Sequence, residues 1–87
     1  MTVYVDDQKN RFGRMVMCHM FASTLGELHE MAYKIGVNRK YFQPSGGDHP
    51  HYDICLSKRK LAIELGAFQT TAQAWVLLVR AGYCRGR

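Results

Sequence analysis

Residues 23–36, STLGELHEMAYKIG, have the clearest helical pattern in the chain. Thr24 and Glu27 have the spacing of an amino-terminal capping box, and Gly36 can adopt the left-handed conformation that ends a helix. Four apolar residues recur at the spacing of one helix face: Leu25, Leu28, Ala32 and Ile35. The segment is therefore predicted to be an amphipathic helix.

Strand signals lie on both sides of this helix. TVYV at residues 2–5 alternates β-branched and aromatic residues, HYDIC at 51–55 follows an irregular segment, and AFQTT at 67–71 can form a short strand. MVMCHMFA, residues 15–22, is apolar except for one histidine, so its pattern fits both a buried strand and a helical turn. QKNRFGR, residues 8–14, is polar and predicts a loop.

Two further segments have helical character. LSKRKLAIELG, residues 56–66, begins with Ser57 as the predicted cap and ends at Gly66. TAQAWVLLVRAG, residues 71–82, also has a helical pattern, although AWVLLV within it fits a strand as well. Strands alternating with about three helices predict an α/β fold: a small single-domain sandwich over residues 1–87, with a three- or four-stranded, mostly parallel sheet. In such sheets ligands bind beyond the carboxyl ends of the strands.

Net charge, cysteine spacing and the length of apolar runs limit the classes of protein to which this chain can belong. The 87 residues have a formal net charge of +5 at pH 7, which favours anionic partners such as a nucleotide or nucleic acid. Cys18, Cys55 and Cys84 lie far apart and form no CxxC pair, so neither a disulfide framework nor a cysteine zinc site is indicated. No run reaches the roughly 18 to 20 apolar residues of a membrane helix, and no signal-peptide pattern opens the chain. We expect a cytoplasmic protein without a membrane partner.

The segment GGDHPHYDIC, residues 46–55, concentrates ionisable groups. His49, His51 and Asp53 alternate, so in an extended segment their side chains project to one side and offer nitrogen and oxygen ligands. Three more residues could complete the set: Asp6, Asp7 and His19. The predicted metal ligands are Asp6, His51 and Asp53, and the divalent ions that suit them are Mg²⁺, Mn²⁺ and Zn²⁺. Such a site on a basic surface suits metal-assisted phosphoester hydrolysis.

A second chemistry needs no metal. A histidine oriented by a carboxylate could hold a phosphate or exchange a proton with it. The candidate catalytic residues are His19, His51 and Asp53, and the candidate ligand-binding residues are Arg14, Tyr52 and Arg39. A purely structural interpretation is that the aspartates cap turns and the histidines bond to backbone carbonyls in a long loop.

Several motifs together resemble the small bacterial and phage family called domain of unknown function 4031. The motifs are VYVDD at residues 3–7, Gly13-Arg14 followed by His19, TLGELH at 24–29, HYD at 51–53, and Gly66-Ala67. The resemblance covers almost the whole chain, and the family has no established activity to carry over. It implies that five residues belong to one recurring constellation: Arg14, His19, His51, Tyr52 and Asp53.

Two functions follow as expectations. The first is binding of a phosphate-bearing ligand, nucleotide or nucleic acid, at the His/Asp/Arg site, with metal-assisted hydrolysis as its catalytic form. The alternative is a phage or bacterial accessory protein that binds another protein without catalysis. Its surface would be an exposed apolar patch formed by Met15, Met17, Met20 and Phe21.

Overall fold

The computed structural model describes residues 2–43, 50–71, 73–74 and 77. The strands within these residues are β1 (Val3–Val5), β2 (Asn10–Phe12), β3 (Met15–Ala22), β4 (Phe42–Gln43), β5 (His51–Cys55) and β6 (Phe68–Gln69). The helices are α1 (Leu25–Lys34) and α2 (Leu56–Glu64), and a 3₁₀ turn at Arg39–Tyr41 precedes β4.

The six strands form one mixed sheet. Five lie side by side in the order β4-β5-β3-β1-β6, and β2 pairs with the first residues of β3. The pair β1–β6 is parallel and the other pairs are antiparallel. The expected sheet of three or four mostly parallel strands is therefore wrong in both strand number and strand direction. The reason is local: no helix separates β1 from β3, so the chain returns antiparallel beside β1.

The hairpin of β2 and β3 gives the outcome of two predictions made from the sequence. MVMCHMFA is a strand, and the predicted loop at residues 8–14 contains β2 and the hairpin turn. Gly13 has a φ of 63° in this turn, a conformation that glycine adopts without steric cost. A three-residue strand has too few alternating positions to give a recognisable pattern.

The caps agree with the sequence for α1 and only partly for α2. The Thr24 hydroxyl accepts a hydrogen bond from the Glu27 amide at 3.2 Å, as a capping residue should. Helix α2 begins one residue after Cys55, so Cys55 and not Ser57 occupies the capping position. The described residues contain two α-helices instead of about three. Gln73, Ala74 and Leu77 have helical backbone, and the rest of the predicted third helix lies outside the described residues.

The hydrophobic core lies between one face of the sheet and both helices. The strands contribute Val3, Val5, Cys18, Met20, Ala22, Tyr52 and Ile54, and the helices contribute Leu28, Met31, Ala32 and Ala62. Since side chains alternate along a strand, the neighbours of these residues on β3 and β5 project from the opposite face. His19, His51 and Asp53 are among those neighbours.

The apolar patch expected for a protein-binding surface does not form as a unit. Met20 and Phe21 are buried, whereas Met15 is 47% exposed and Met17 is half-buried. In the part of the chain that the structure describes, no helix combines the length and the apolar composition that crossing a membrane requires.

Candidate metal centre

Three predicted site residues come together on the face of the sheet opposite the helices. The register of β3 and β5 sets His19 directly across from Asp53, and His51 projects from the same face two residues before Asp53. The potential ligand atoms of the three side chains lie within 4.8 Å of one another. The cluster lies on a sheet face and not beyond the strand ends, because its members come from within β3 and β5.

The distances from one Asp53 oxygen to the two imidazole nitrogens are longer than those of good hydrogen bonds. His19 Nε2 lies 3.5 Å from Asp53 Oδ1, and His51 Nε2 lies 3.6 Å from the same oxygen. Good N–H···O bonds are about 2.7–3.2 Å long. Two atoms bound at about 2.1 Å to one tetrahedral ion lie about 3.4 Å apart. Both nitrogen-to-oxygen distances are therefore close to the distance between two ligands of one ion.

Asp6 contacts His19 from the side away from Asp53. It follows β1 and is fully buried, and its Oδ2 lies 2.8 Å from His19 Nδ1. Its Oδ1 accepts from the His19 backbone amide at 2.8 Å and from the Gln8 amide at 3.3 Å. A carboxylate on Nδ1 fixes the tautomer and leaves Nε2 to bind a metal. The sequence offered Asp6 as a metal ligand or as an orienting group, and the structure places it in the orienting position.

Electrostatics strengthen this pair. Burial alone would raise the pKa of Asp6, but hydrogen bonds from the His19 side chain and backbone outweigh it and lower that pKa. The hydrogen bond to Asp6 raises the pKa of His19; burial opposes the rise, and the charges of Asp6 and Asp53 add to it. Both directions describe a carboxylate that stabilises the protonated ring of His19.

An aromatic side chain forms one wall of the cluster. Phe21 is buried, and its ring centroid lies 5.8 Å from that of His19 and 6.1 Å from that of His51. The two imidazoles are 5.0 Å apart between centroids and nearly perpendicular, at 80°. Packing against Phe21 and against each other restricts the freedom of both imidazole rings.

Tyr52 lies on the other face of the sheet. It belongs to the core, and its hydroxyl lies 2.7 Å from His29 Nδ1 on α1. His29 also packs against the Phe42 ring, at 4.6 Å between centroids. Burial, helped by the charge of Arg39, lowers the pKa of His29. The middle residue of the HYD motif therefore holds α1 to the sheet.

The two arginines proposed as ligand-binding residues are not brought to the cluster. Arg14 occupies the exposed hairpin turn, five residues before His19, which is roughly 16 Å along an extended chain. Arg39 lies in the exposed 3₁₀ turn, where its charge acts on His29 and Tyr52. His49 and the glycines at 46 and 47 lie outside the described residues.

A groove of about 570 Å³ opens beside the cluster. His19 and Asp53 line it, together with Cys55 at the start of α2. Burial would raise the pKa of Cys55, but hydrogen bonds from the Ser57 side chain and from backbone amides outweigh it and lower that pKa. The volume of the groove is large enough for a small ligand.

The structural role of Arg59 was not identified from the sequence. Its Nε donates to the Asp6 backbone carbonyl at 2.9 Å, and its Nη2 donates to Gln69 Oε1 at 3.4 Å. The Arg59 side chain therefore links α2 to the end of β1, next to the Asp6 carboxylate that contacts His19. In the sequence Arg59 is one of three adjacent basic residues, and nothing in that pattern distinguishes it.

Comparison with known proteins yields one relationship. No curated protein and no solved structure matches the chain. The family described as "Protein of unknown function (DUF4031)" matches residues 3–82, which include Asp6 and all three residues of the cluster. The chain belongs to the DUF4031 family.

Proposed function

We propose that this protein binds a divalent transition-metal ion through His19, His51 and Asp53 and uses it to hydrolyse a phosphoester. The observation that carries the proposal is the position of the two Nε2 atoms, 3.5 and 3.6 Å from one Asp53 oxygen. Two imidazoles with one carboxylate favour Zn²⁺ or Mn²⁺ over Mg²⁺ or Ca²⁺, which prefer sites made of oxygen alone.

The arrangement behind the ligands supports the same proposal. A structural histidine needs only a carbonyl or a water on its Nδ1, whereas His19 has a buried carboxylate there. Metal-binding histidines are commonly held in this way, since the carboxylate makes the other ring nitrogen a better ligand. Three protein ligands leave at least one coordination position for water or substrate.

Charge supports a phosphate ester as the substrate. The protein is cationic, and Arg11 and Lys58 line the groove that adjoins the cluster. A bound divalent ion polarises a phosphoryl oxygen and lowers the pKa of a bound water. In the hydrolysis, a water oxygen forms a bond to phosphorus, the ester P–O bond breaks, and the water's proton passes to the leaving alkoxide.

Metal titration tests the site. Wild-type protein should bind about one equivalent of Zn²⁺ in isothermal titration calorimetry, whereas His51→Ala and Asp53→Asn should bind it at least tenfold more weakly. His29→Gln is the matched control, because it removes a histidine on the opposite face of the sheet. Equal Zn²⁺ binding by wild type and His51→Ala would sink the proposal.

Activity separates metal chemistry from proton transfer by a histidine. The Asp6–His19 pair is also the arrangement of a general acid or base, so the protein could act on phosphate without metal. Hydrolysis of bis(p-nitrophenyl) phosphate should disappear after treatment with EDTA and return when Zn²⁺ or Mn²⁺ is added. Activity that survives EDTA in protein free of metal would favour the dyad instead.

A further inference from the structure

The groove beside the cluster is larger than the hydrolysis of a simple phosphate requires. Its volume is about 570 Å³, whereas a phosphoryl group needs only a few polar contacts around it. Pockets of roughly 300–1,000 Å³ typically enclose ligands of drug or cofactor size. The groove can therefore hold a substantial organic group attached to the phosphate.

Two cationic side chains line the groove, a charge that favours an anionic ligand. Lys58 lies in the first turn of α2 and reaches over Gly36, where a Cβ added to the glycine would lie 3.2 Å from the Lys58 Nζ. The adjacent Arg59 is occupied with the Asp6 carbonyl and does not line the groove. Lys58 and Arg11 thus supply positive charge to the same groove that His19 and Asp53 enter.

The groove lining also includes an aromatic ring and two carboxamides. Tyr41 lines the groove, is 51% exposed, and has Lys40 Nζ 5.2 Å from its ring centroid. Asn38 and Gln43 also line the groove, and the Asn38 oxygen accepts from the Lys40 amide at 2.9 Å. That bond does not use the amide nitrogen of Asn38. Aromatic rings that stack with bases, and carboxamides that pair with base edges, are the usual contacts of unpaired nucleotides.

We propose that the groove binds a nucleotide unit, with its phosphate between the cluster and Lys58 and its base against Tyr41. This inference rests on the function proposed above and names its substrate class. The same unit occurs as a free mononucleotide and at the end of a single strand of nucleic acid. The shared chemistry is a phosphate joined through a sugar to a flat heterocycle.

Binding to the protein loaded with Zn²⁺ tests the inference. In calorimetry AMP should bind about tenfold more tightly than ribose 5-phosphate, because the base adds stacking on Tyr41. Tyr41→Ala should remove that difference, whereas Tyr33→Ala, which changes an exposed tyrosine of α1, should preserve it. Lys58→Ala should weaken AMP and ribose 5-phosphate alike, and Lys60→Ala, outside the groove lining, should leave both unchanged.

The outcomes separate the two proposals. Protein that binds Zn²⁺ but binds AMP no better than ribose 5-phosphate overturns this inference and leaves the metal site intact. Protein that binds no Zn²⁺ overturns the proposed function and this inference with it. A 5′-phosphorylated pentanucleotide distinguishes the sources: tighter binding than AMP assigns a strand end, and equal or weaker binding assigns the free nucleotide.

Discussion

Asp6 holds His19 at two points, since its carboxylate lies 2.8 Å both from the backbone amide and from the ring Nδ1 of that residue. The amide contact continues the β1–β3 pairing, because Asp6 N–H donates to the His19 carbonyl at 3.0 Å. The side chain replaces the backbone carbonyl that would otherwise accept the return bond. The end of β1 thereby supports a side chain of the proposed metal site.

Replacing this support should weaken both metal binding and the fold. Asp6→Asn keeps an acceptor for the amide but loses the charge that faces the ring. We expect Zn²⁺ affinity to fall about 10- to 100-fold, measured by competition with a chromogenic chelator. The free energy of unfolding of the metal-free protein should fall by about 2 kcal/mol in urea. Asp7→Asn is the control, and Zn²⁺ binding by Asp6→Asn at wild-type strength would remove Asp6 from the site.

The same pair predicts how stability depends on pH. The pKa of His19 is raised from 6.5 and that of Asp6 is lowered from 3.8. The histidine contribution is therefore complete below about pH 6.5 and is lost as pH rises through the raised pKa. The aspartate contribution is complete above about pH 3.8 and is lost as pH falls through the lowered pKa.

The stability difference between metal-free wild type and Asp6→Asn should accordingly be largest between about pH 4 and 6.5 and smaller at pH 9. Urea unfolding at pH 5.5 and pH 9 measures it. Zn²⁺ binding should have the opposite trend, because protons compete for the His19 ring below its raised pKa. An unchanged stability difference at the two pH values contradicts the ion-pair interpretation.

The sequence predicted local structure better than strand pairing. The capping residues and the apolar spacing of α1 are short-range signals, and the helix forms where they place it. Sheet direction depends on which strands meet, and a three-residue strand such as β2 carries almost no pattern. An alternation rule drawn from longer parallel sheets therefore predicted the wrong orientation.

The candidate site was only partly predictable, because alternation along one strand is visible in a sequence and the register between strands is not. The alternation of His51 and Asp53 placed both on one face, but the convergence of His19 depends on the β3–β5 register. The orientation of Tyr52 follows from the same alternation, because a residue between two residues on one face of a strand must face the other way. Arg59 acts through its position in α2, which no local pattern reveals.

Tyr52 should therefore affect stability and not metal binding. Tyr52→Phe removes the hydroxyl that pairs with His29 at 2.7 Å but preserves the ring in the core. We expect the free energy of unfolding to fall by about 1 kcal/mol and Zn²⁺ affinity to stay at the wild-type value. A double-mutant cycle with His29→Gln isolates the pair. Loss of Zn²⁺ binding in Tyr52→Phe would return this residue to the site.

Two glycines at the ends of α1 should respond in opposite directions to alanine. Gly36 has a φ of 77°, so Gly36→Ala should cost about 1–2 kcal/mol in unfolding free energy. Gly26 lies within α1 with no atom within 4 Å of an added Cβ, so Gly26→Ala should stabilise by up to about 1 kcal/mol. Thermal unfolding measures both, and equal shifts in Tm would contradict the backbone assignment of Gly36.

The two described cysteines should differ in reactivity. Burial, with the charge of Asp6, raises the pKa of Cys18 to about 12, whereas hydrogen bonds from Ser57 and nearby amides outweigh burial and lower the pKa of Cys55. Because the thiolate is the nucleophile, iodoacetamide at pH 8 should modify Cys55 first. A Cys84→Ser background leaves these two thiols to compete, and mass spectrometry of the peptides assigns the label.

Ser57→Ala provides the causal test of this difference. The Cys55 Sγ lies 3.2 Å from the Ser57 hydroxyl, and loss of that bond should slow alkylation of Cys55 without changing Cys18. Lys60→Ala, on the same helix, controls for general effects on α2. Since Cys55 lines the groove, AMP bound to the protein loaded with Zn²⁺ should also slow the reaction. Alkylation of Cys18 as fast as Cys55 would show that the core around β3 opens more readily than the packing implies.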